Sequence, residues 1–262
     1  MNLDLSGKTA IVGGSTQGIG KAAAMELASM GANIVLLARN EDMLIATLKE
    51  IPNNGSQKHN YIAADFSNPD VLKIKITDFI KSNGDAQILI NNTGGPPAGK
   101  AIDASITEFY DAFRNHLVCN HILVQALVHG MKKSKYGRII NVISTSVKQP
   151  LPNLGVSNTI RAAVGNWSKT LANELGIYGI TVNNVLPGPT NTFRLQSIIS
   201  NKATKTGLSE DKILKEMAEE TKLGRIGEAS EIGAAIAFLA SPAASFITGV
   251  NLPVDGGRTS SL

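Results

Sequence analysis

The chain has little that would fasten or anchor it from outside. One cysteine, Cys119, occurs in 262 residues, which excludes an internal disulfide and fits a reducing compartment. No apolar run reaches the ~20 residues needed to span a bilayer. Residues 1–7 carry acidic Asp4 and no long apolar core, which argues against a secretory leader. A cytoplasmic location is therefore expected. Charge of one sign is also scarce, with a formal net charge of +4. The densest basic stretch, Lys132, Lys133, Lys135 and Arg138, reads as a solvated helix end. Aromatic platforms and a long basic stripe are both missing, so a nucleic-acid partner is not expected. His121 and His129 do not share a helix face at metal spacing, and no metal is expected.

What is present is a globular composition, 43% hydrophobic and 18% charged, long enough for a full core. Short apolar runs at 9–12, 34–37, 61–64, 88–90, 139–143, 181–186 and 250–253 alternate with helical stretches. Several are continuous rather than alternating, as strands buried on both faces should be. In the first helix, Ile19, Ala23, Leu27 and Met30 recur on one face. Asn68 before Pro69 reads as a cap and first-turn proline for the third helix. The longest helical stretches are 108–133 and 157–175. This alternation predicts an α/β fold, a doubly wound parallel seven-stranded Rossmann sheet with helices on both faces, in one domain spanning 1–262. The polar segment 190–228 reads as strand-free, with a helix near 210–220, and is a lid candidate.

Gly14-Ser15-Thr16-Gln17-Gly18-Ile19-Gly20 lies between a strand and a helix. Glycines there let the backbone approach a pyrophosphate, which the helix N-terminus attracts with free N–H groups. The spacing is a variant of the dinucleotide fingerprint. At the next strand end, Ala38 stands where an acid would bind the ribose diol of NAD, and Arg39 suits a 2′-phosphate. NADP(H) is thus favoured over NAD(H). Asp65, followed by Phe66, ends the third strand and can accept from the adenine amino group or cap the next helix.

With Asn91-Asn92-Thr93-Gly94, the 137–140 strand leading to Ser144, Pro187-Gly188 with Thr192, and Val254-Asp255-Gly256-Gly257, the chain resembles the short-chain dehydrogenase/reductases of the 3-oxoacyl-carrier-protein-reductase-like kind. The resemblance implies that Asn92 and Gly94 line the cofactor floor, that Thr192 contacts the nicotinamide amide, and that Ser144 polarises the substrate oxygen. It also implies a homodimer or homotetramer built on the two long helices. The family's proton-donating tyrosine and its lysine fall on Ser157 and Arg161, and its relay asparagine falls on His116. A serine hydroxyl is a far weaker acid than a phenol, and a guanidinium stays protonated. A positioned general acid is worth ~10²–10⁴ in rate. His116, able to charge near neutral pH, is the candidate substitute, as a catalytic acid, a relay or a plain buried histidine. Ser144, Ser157, Arg161 and His116 are the candidate catalytic residues, and Arg161 is also a ribose contact. The expected function is NADP-dependent hydride transfer between nicotinamide and a carbonyl or alcohol substrate. The alternative is a dinucleotide-binding protein with little or no redox activity.

Overall fold

Two apolar layers enclose a parallel sheet in the computed structural model, which describes residues 1–261. The strands are β1 Thr9–Gly13, β2 Asn33–Ala38, β3 Asn60–Ala63, β4 Ile88–Asn91, β5 Gly137–Val142, β6 Ile180–Pro187 and β9 Asn251–Val254, in the order β3-β2-β1-β4-β5-β6-β9. Every pairing is parallel. Successive strand residues serve opposite layers. Ala10 and Val12 pack with α1 (Gly18–Ser29), α2 (Glu41–Leu48) and α9 (Ala229–Ala240). Ile11 packs with α3 (Pro69–Asn83), α5 (Cys119–Ser134) and α6 (Gly155–Leu175). Both faces are dry, which is why the strand sequences run apolar without alternation.

The expected strands all form, with ends shifted by one or two residues. Asn68 caps α3 by accepting from the Val71 N–H at 3.2 Å, with Pro69 in the first turn. The cap of that helix is therefore not Asp65, whose carboxylate instead accepts from the Ser67 N–H at 2.9 Å.

Three expectations need correction. The stretch expected as one helix at 108–133 is α4 (Ile106–Phe113), a π-helical turn (Arg114–Val118) and α5. The segment 190–228 is not strand-free. It opens with β7 (Thr190–Asn191), carries α7 (Phe193–Thr206) as well as α8 (Glu210–Glu219), and closes with β8 (Gly227–Glu228), which pairs parallel with β7. Two-residue strands are too short to leave a periodic signal. Arg138 is not on a solvated helix end. It is a buried β5 residue, 4.1 Å over the Tyr136 ring, donating to the carbonyls of Gly137, Gly179 and Ser241.

The sheet's four neighbouring strands β4, β5, β6 and β9 carry a buried ladder that the apolar pattern conceals. Asn91 Nδ2 donates to Asn141 Oδ1 (2.8 Å), Asn141 Nδ2 to Asn184 Oδ1 (2.9 Å), and Asn184 Nδ2 to Asn251 Oδ1 (2.7 Å). Each bonded pair is also a register pair. A one-residue slip would strand these amides in the core, so the ladder fixes strand alignment. Asn141 also donates to Ser168 Oγ on α6. Replacing Asn141 by Ala leaves Asn91 Nδ2 and Asn184 Oδ1 buried without their partner. The expected loss is about 2–4 kcal/mol of unfolding free energy, read by urea denaturation, with Asn251→Ala at the exposed end costing clearly less.

Candidate active site

The glycine turn sits at the carboxyl ends of β1 and β4, where doubly wound sheets open a crevice. Gly14 N–H donates to Leu37 O (2.8 Å) and Leu37 N–H to the buried Ser15 hydroxyl (3.0 Å), which moors the turn to β2. The Ser15 side chain is thus committed inward, and only its backbone is left for a ligand. Asn92 Nδ2 donates to Gly13 O (3.1 Å) and Gly14 O (3.4 Å), so this residue braces the turn from the β4 side. A Cβ on Gly20 would lie 2.2 Å from Gly14 O. Only glycine lets α1 start this close to the strand. Gly18 has φ +54, and a Cβ there would stand 3.2 Å from the Thr192 methyl.

The start of α1 is uncapped. Gln17 makes no side-chain cap bond, and the first turn, which includes Ile19, holds no acid. By contrast α2, α3, α4, α7 and α8 are capped by Asn40, Asn68, Ser105, Thr192 and Ser209. Free N–H groups and the positive dipole end therefore face the crevice, a fit for a pyrophosphate. Arg39 is exposed just past β2 and joins none of the ion pairs among the described residues. Asp65 is exposed past β3, and the Phe66 carbonyl accepts from the Cys119 thiol at 3.2 Å. On the far side, Gly188 N–H donates to Val254 O (3.0 Å), which fixes the Pro187-Gly188 turn to β9. Thr192 caps α7, accepting from Leu195 N–H at 3.3 Å.

The second half of the site gathers at the tips of β4 and β5. Ser144 stands two residues past β5. Its oxygen accepts from the Ser146 N–H (3.1 Å), which leaves its own hydrogen to donate. Ser157 and Arg161 lie one turn apart on α6. The Ser157 hydroxyl is half-buried and has no hydrogen bond among the described residues. Arg161 is buried, and one of its five N–H groups finds an acceptor, Nη1 donating to Val142 O at 2.9 Å. Burial, then the charge of Arg194, lowers its pKa to about 10, so it stays a cation at neutral pH.

The π-helical turn re-aims His116 into the protein, where it is buried with Nδ1 2.6 Å from Thr93 Oγ1. Burial, then the charge of Arg161, lowers its pKa to about 2. The expectation that His116 charges near neutral pH is therefore not met. Burial and the Arg161 charge favour the neutral imidazole, which counts against a role as an imidazolium acid. The tyrosines offer no replacement. Tyr61 donates to Glu41 and Tyr136 to the Ala240 carbonyl, Tyr178 lies under Lys132, and Tyr110 projects into solvent from α4.

Two residues escaped the sequence reading. Thr93 was visible within Asn91-Asn92-Thr93-Gly94, but nothing in the sequence joins it to His116. Arg194, two residues past Thr192, donates from Nη2 to Pro96 O at 2.7 Å across the loop that follows Gly94. Its segment has no motif that would have singled it out.

Crevice, uncapped helix start and strand-tip hydroxyl together define a nicotinamide-dinucleotide enzyme of the doubly wound class. Comparison with known proteins agrees. Residues 14–259 match the family described as enoyl-(acyl carrier protein) reductase. The chain is 31% identical to the NADPH-dependent reductase BacG of Bacillus subtilis (strain 168), covering 98% of this chain and 100% of that one. It is 33% identical to the 3-oxoacyl-[acyl-carrier-protein] reductase FabG of Vibrio cholerae, over 97% and 98%. The L-sorbose reductase of Gluconobacter frateurii, solved with NADPH and L-sorbose, superposes with a TM-score of 0.93 at 30% identity, covering 100% of both chains. The chain belongs to the short-chain dehydrogenase/reductase family and is an NAD(P)-dependent oxidoreductase. No described helix is long and apolar enough to cross a membrane.

The depressed His116 gives a pH signature. Between pH 6.5 and about 2 the unfolded chain binds a proton at His116 that the native state refuses. Native stability therefore falls as pH drops below 6.5, by up to about 1.4 kcal/mol per pH unit from this group. In His116→Gln, unfolding free energy measured from pH 7 down to pH 4.5 should decline less steeply than in the wild type.

Proposed function

We propose that this enzyme reduces a carbonyl compound with NADPH, or oxidises the matching alcohol with NADP⁺, without a tyrosine acid. The observation that carries this reading is Arg161, a largely buried cation with no acid beside it and one protein acceptor, whose other nitrogens are reached by solvent beside the strand tip that leads to Ser144. An unpaired buried charge is costly, and ligand oxygens supply what the protein withholds.

The backbone of Gly14, Ser15, Gln17, Gly18, Ile19 and Gly20 holds the pyrophosphate. Arg39 takes the 2′-phosphate, and Asp65 with the Phe66 backbone frames the adenine. Asn92, Gly94, Pro187, Gly188 and Thr192 frame the nicotinamide, whose ribose hydroxyls accept from Arg161. When bound, NADPH supplies the hydride. Ser144 donates a hydrogen bond to the substrate oxygen and keeps its own proton. Arg161 stabilises the negative charge that develops there, as electrostatic preorganisation does in a dry site. Ser157, one turn away, orients the water that delivers the proton. His116, neutral and tied to Thr93, holds the floor in place and passes hydrogen bonds without carrying charge. The segment 190–228 acts as a lid, with Thr192 at its start placed so that a Cβ on Gly18 would stand 3.2 Å from the threonine methyl. The relatives' printed activities, 3-oxoacyl reduction among them, support a ketone substrate. A homodimer or homotetramer is supported by the exposed stripe Ile106, Tyr110 and Phe113 on α4, and the absence of a membrane-crossing helix among the described residues is consistent with a cytoplasmic location.

Purified protein should quench and shift NADPH fluorescence and oxidise NADPH against a panel of ketones and 3-oxoacyl thioesters. Binding without turnover across the panel would point instead to a dinucleotide-binding protein without redox activity, the reading the relatives do not favour. Ser144→Ala should cut kcat by about 10²–10³, as loss of an oxyanion-type donor does. Arg39→Gln should weaken NADPH binding by about 10–100-fold while leaving NADH binding nearly unchanged, since a charge-assisted phosphate contact is worth about 1.5–3 kcal/mol. Paired fluorescence titrations with the two cofactors decide this.

A further inference from the structure

The segment 190–228 carries a small core of its own. Leu195 and Ile199 on α7 pack with Ile213 and Met217 on α8, apart from the two layers against the sheet. The segment is therefore a body whose place depends on a few attachments to the rest of the chain. Near its entry, Arg194 donates to the Pro96 carbonyl. Near its exit, Arg225 pairs with Glu231 at the start of α9. Further bonds converge on the turn that follows β9. The Lys222 and Leu223 N–H groups both donate to Gly256 O, at 2.8 and 3.1 Å, and Arg258 Nη2 donates to Glu220 Oε2.

That turn is Val254-Asp255-Gly256-Gly257. Its backbone is left-handed twice in succession, with φ +62 at Gly256 and +76 at Gly257, which requires glycine. The Asp255 carboxylate holds it from within. One oxygen accepts from the Gly257 N–H at 3.0 Å and the other from the Thr259 N–H at 2.8 Å. The same segment meets two parts of the site. Gly188 N–H donates to Val254 O at 3.0 Å, and a Cβ on Gly188 would lie 2.6 Å from the Asp255 Cα. Ser260 Oγ donates to Gln149 Oε1 at 3.2 Å, and the Gln149 N–H donates to Thr145 O, next to Ser144. Lid exit, Pro187-Gly188 turn and the chain leaving Ser144 are thus joined through residues 254–260.

We propose that Asp255 is a positioning residue for the reaction: its carboxylate shapes a clasp that holds the exit of the lid, and Arg258 fastens the clasp by pairing with Glu220. Neither side chain touches substrate or cofactor. The clasp sets the fraction of time the lid rests over the crevice. This deepens the oxidoreductase reading and rests on it. The two members differ in weight. A partly exposed ion pair such as Arg258 with Glu220 contributes little by itself. The Asp255 bonds are charge-assisted and keep two glycines, the most mobile residue type, in one geometry. Without them the Gly256 carbonyl loses its aim at Lys222 and Leu223, whereas without Arg258 only the outer tie is lost.

The test is amide hydrogen exchange in the full-length protein, resolved at Lys222 and Leu223, whose N–H groups report the clasp directly and need no turnover. In Asp255→Ala these two amides should exchange about tenfold faster or more, the factor that a lost charged hydrogen bond carries, while the amides of β5 exchange as in the wild type. Arg258→Gln should give the same pattern more weakly, and Arg258→Lys should return it to the wild type. In steady-state kinetics Asp255→Ala should raise the KM for a ketone by about the factor seen in exchange and leave kcat nearly unchanged, because saturating substrate draws the lid closed again. Exchange at Lys222 and Leu223 unchanged in Asp255→Ala would overturn the proposal. So would β5 amides accelerated as strongly as these two, or a fall in kcat at constant KM. If Asp255→Ala does not fold, Asp255→Asn, which keeps one acceptor oxygen, decides by the same readouts. A protein that turns over no ketone strikes the oxidoreductase reading, and exchange alone then decides whether the clasp exists.

Discussion

A positive charge buried without an acid beside it is the constraint around which the proposed active site is arranged. Arg161 is almost wholly removed from water and meets one carbonyl. Its field has consequences for every neighbour. Together with burial, it favours the neutral form of His116. It sits one turn from Ser157 on α6. It also favours whatever anion or alkoxide enters. In a site of low polarity such a charge is worth far more than in water, provided that a ligand is present to receive it. On the proposed reading, the protein holds in advance a counter-charge for the alkoxide that the reaction develops.

The scaffold makes this possible by being rigid where polar groups would otherwise cost stability. The asparagine ladder across β4, β5, β6 and β9 locks the strands whose tips carry Asn92, Ser144 and Pro187. Alignment of the tips follows from hydrogen bonds that have one register. The glycine turn is braced by the same region, since Asn92 follows the first rung of the ladder and bonds to Gly13 and Gly14. Core and crevice are thus one hydrogen-bonded unit.

Much of this was legible in the amino-acid order. Seven apolar runs alternating with helices give the sheet, because strands buried on both faces must be apolar throughout. Gly14, Gly18 and Gly20 give the tight turn between β1 and α1, because only glycine tolerates the approach found between Gly20 and Gly14. Less legible were features that depend on where distant residues meet. Arg138 looked like part of a basic cluster, but a strand carries it inward against Tyr136. His116 looked titratable, because residue type reports the free pKa while burial sets the actual one. The π-turn that aims it has no sequence period of its own. Arg194 gains its meaning from Pro96, 98 positions away in the chain, a distance no local pattern spans.

If the unpaired charge is kept for function, it should weaken the empty protein and strengthen the loaded one. Arg161→Met separates the two effects, because methionine fills similar volume without charge. Thermal unfolding of the cofactor-free variant should show a higher melting temperature than the wild type, while NADPH affinity falls at least tenfold. A variant that is less stable when empty and binds NADPH as well as the wild type would show that Arg161 is a structural residue, and the account built on its charge would fail.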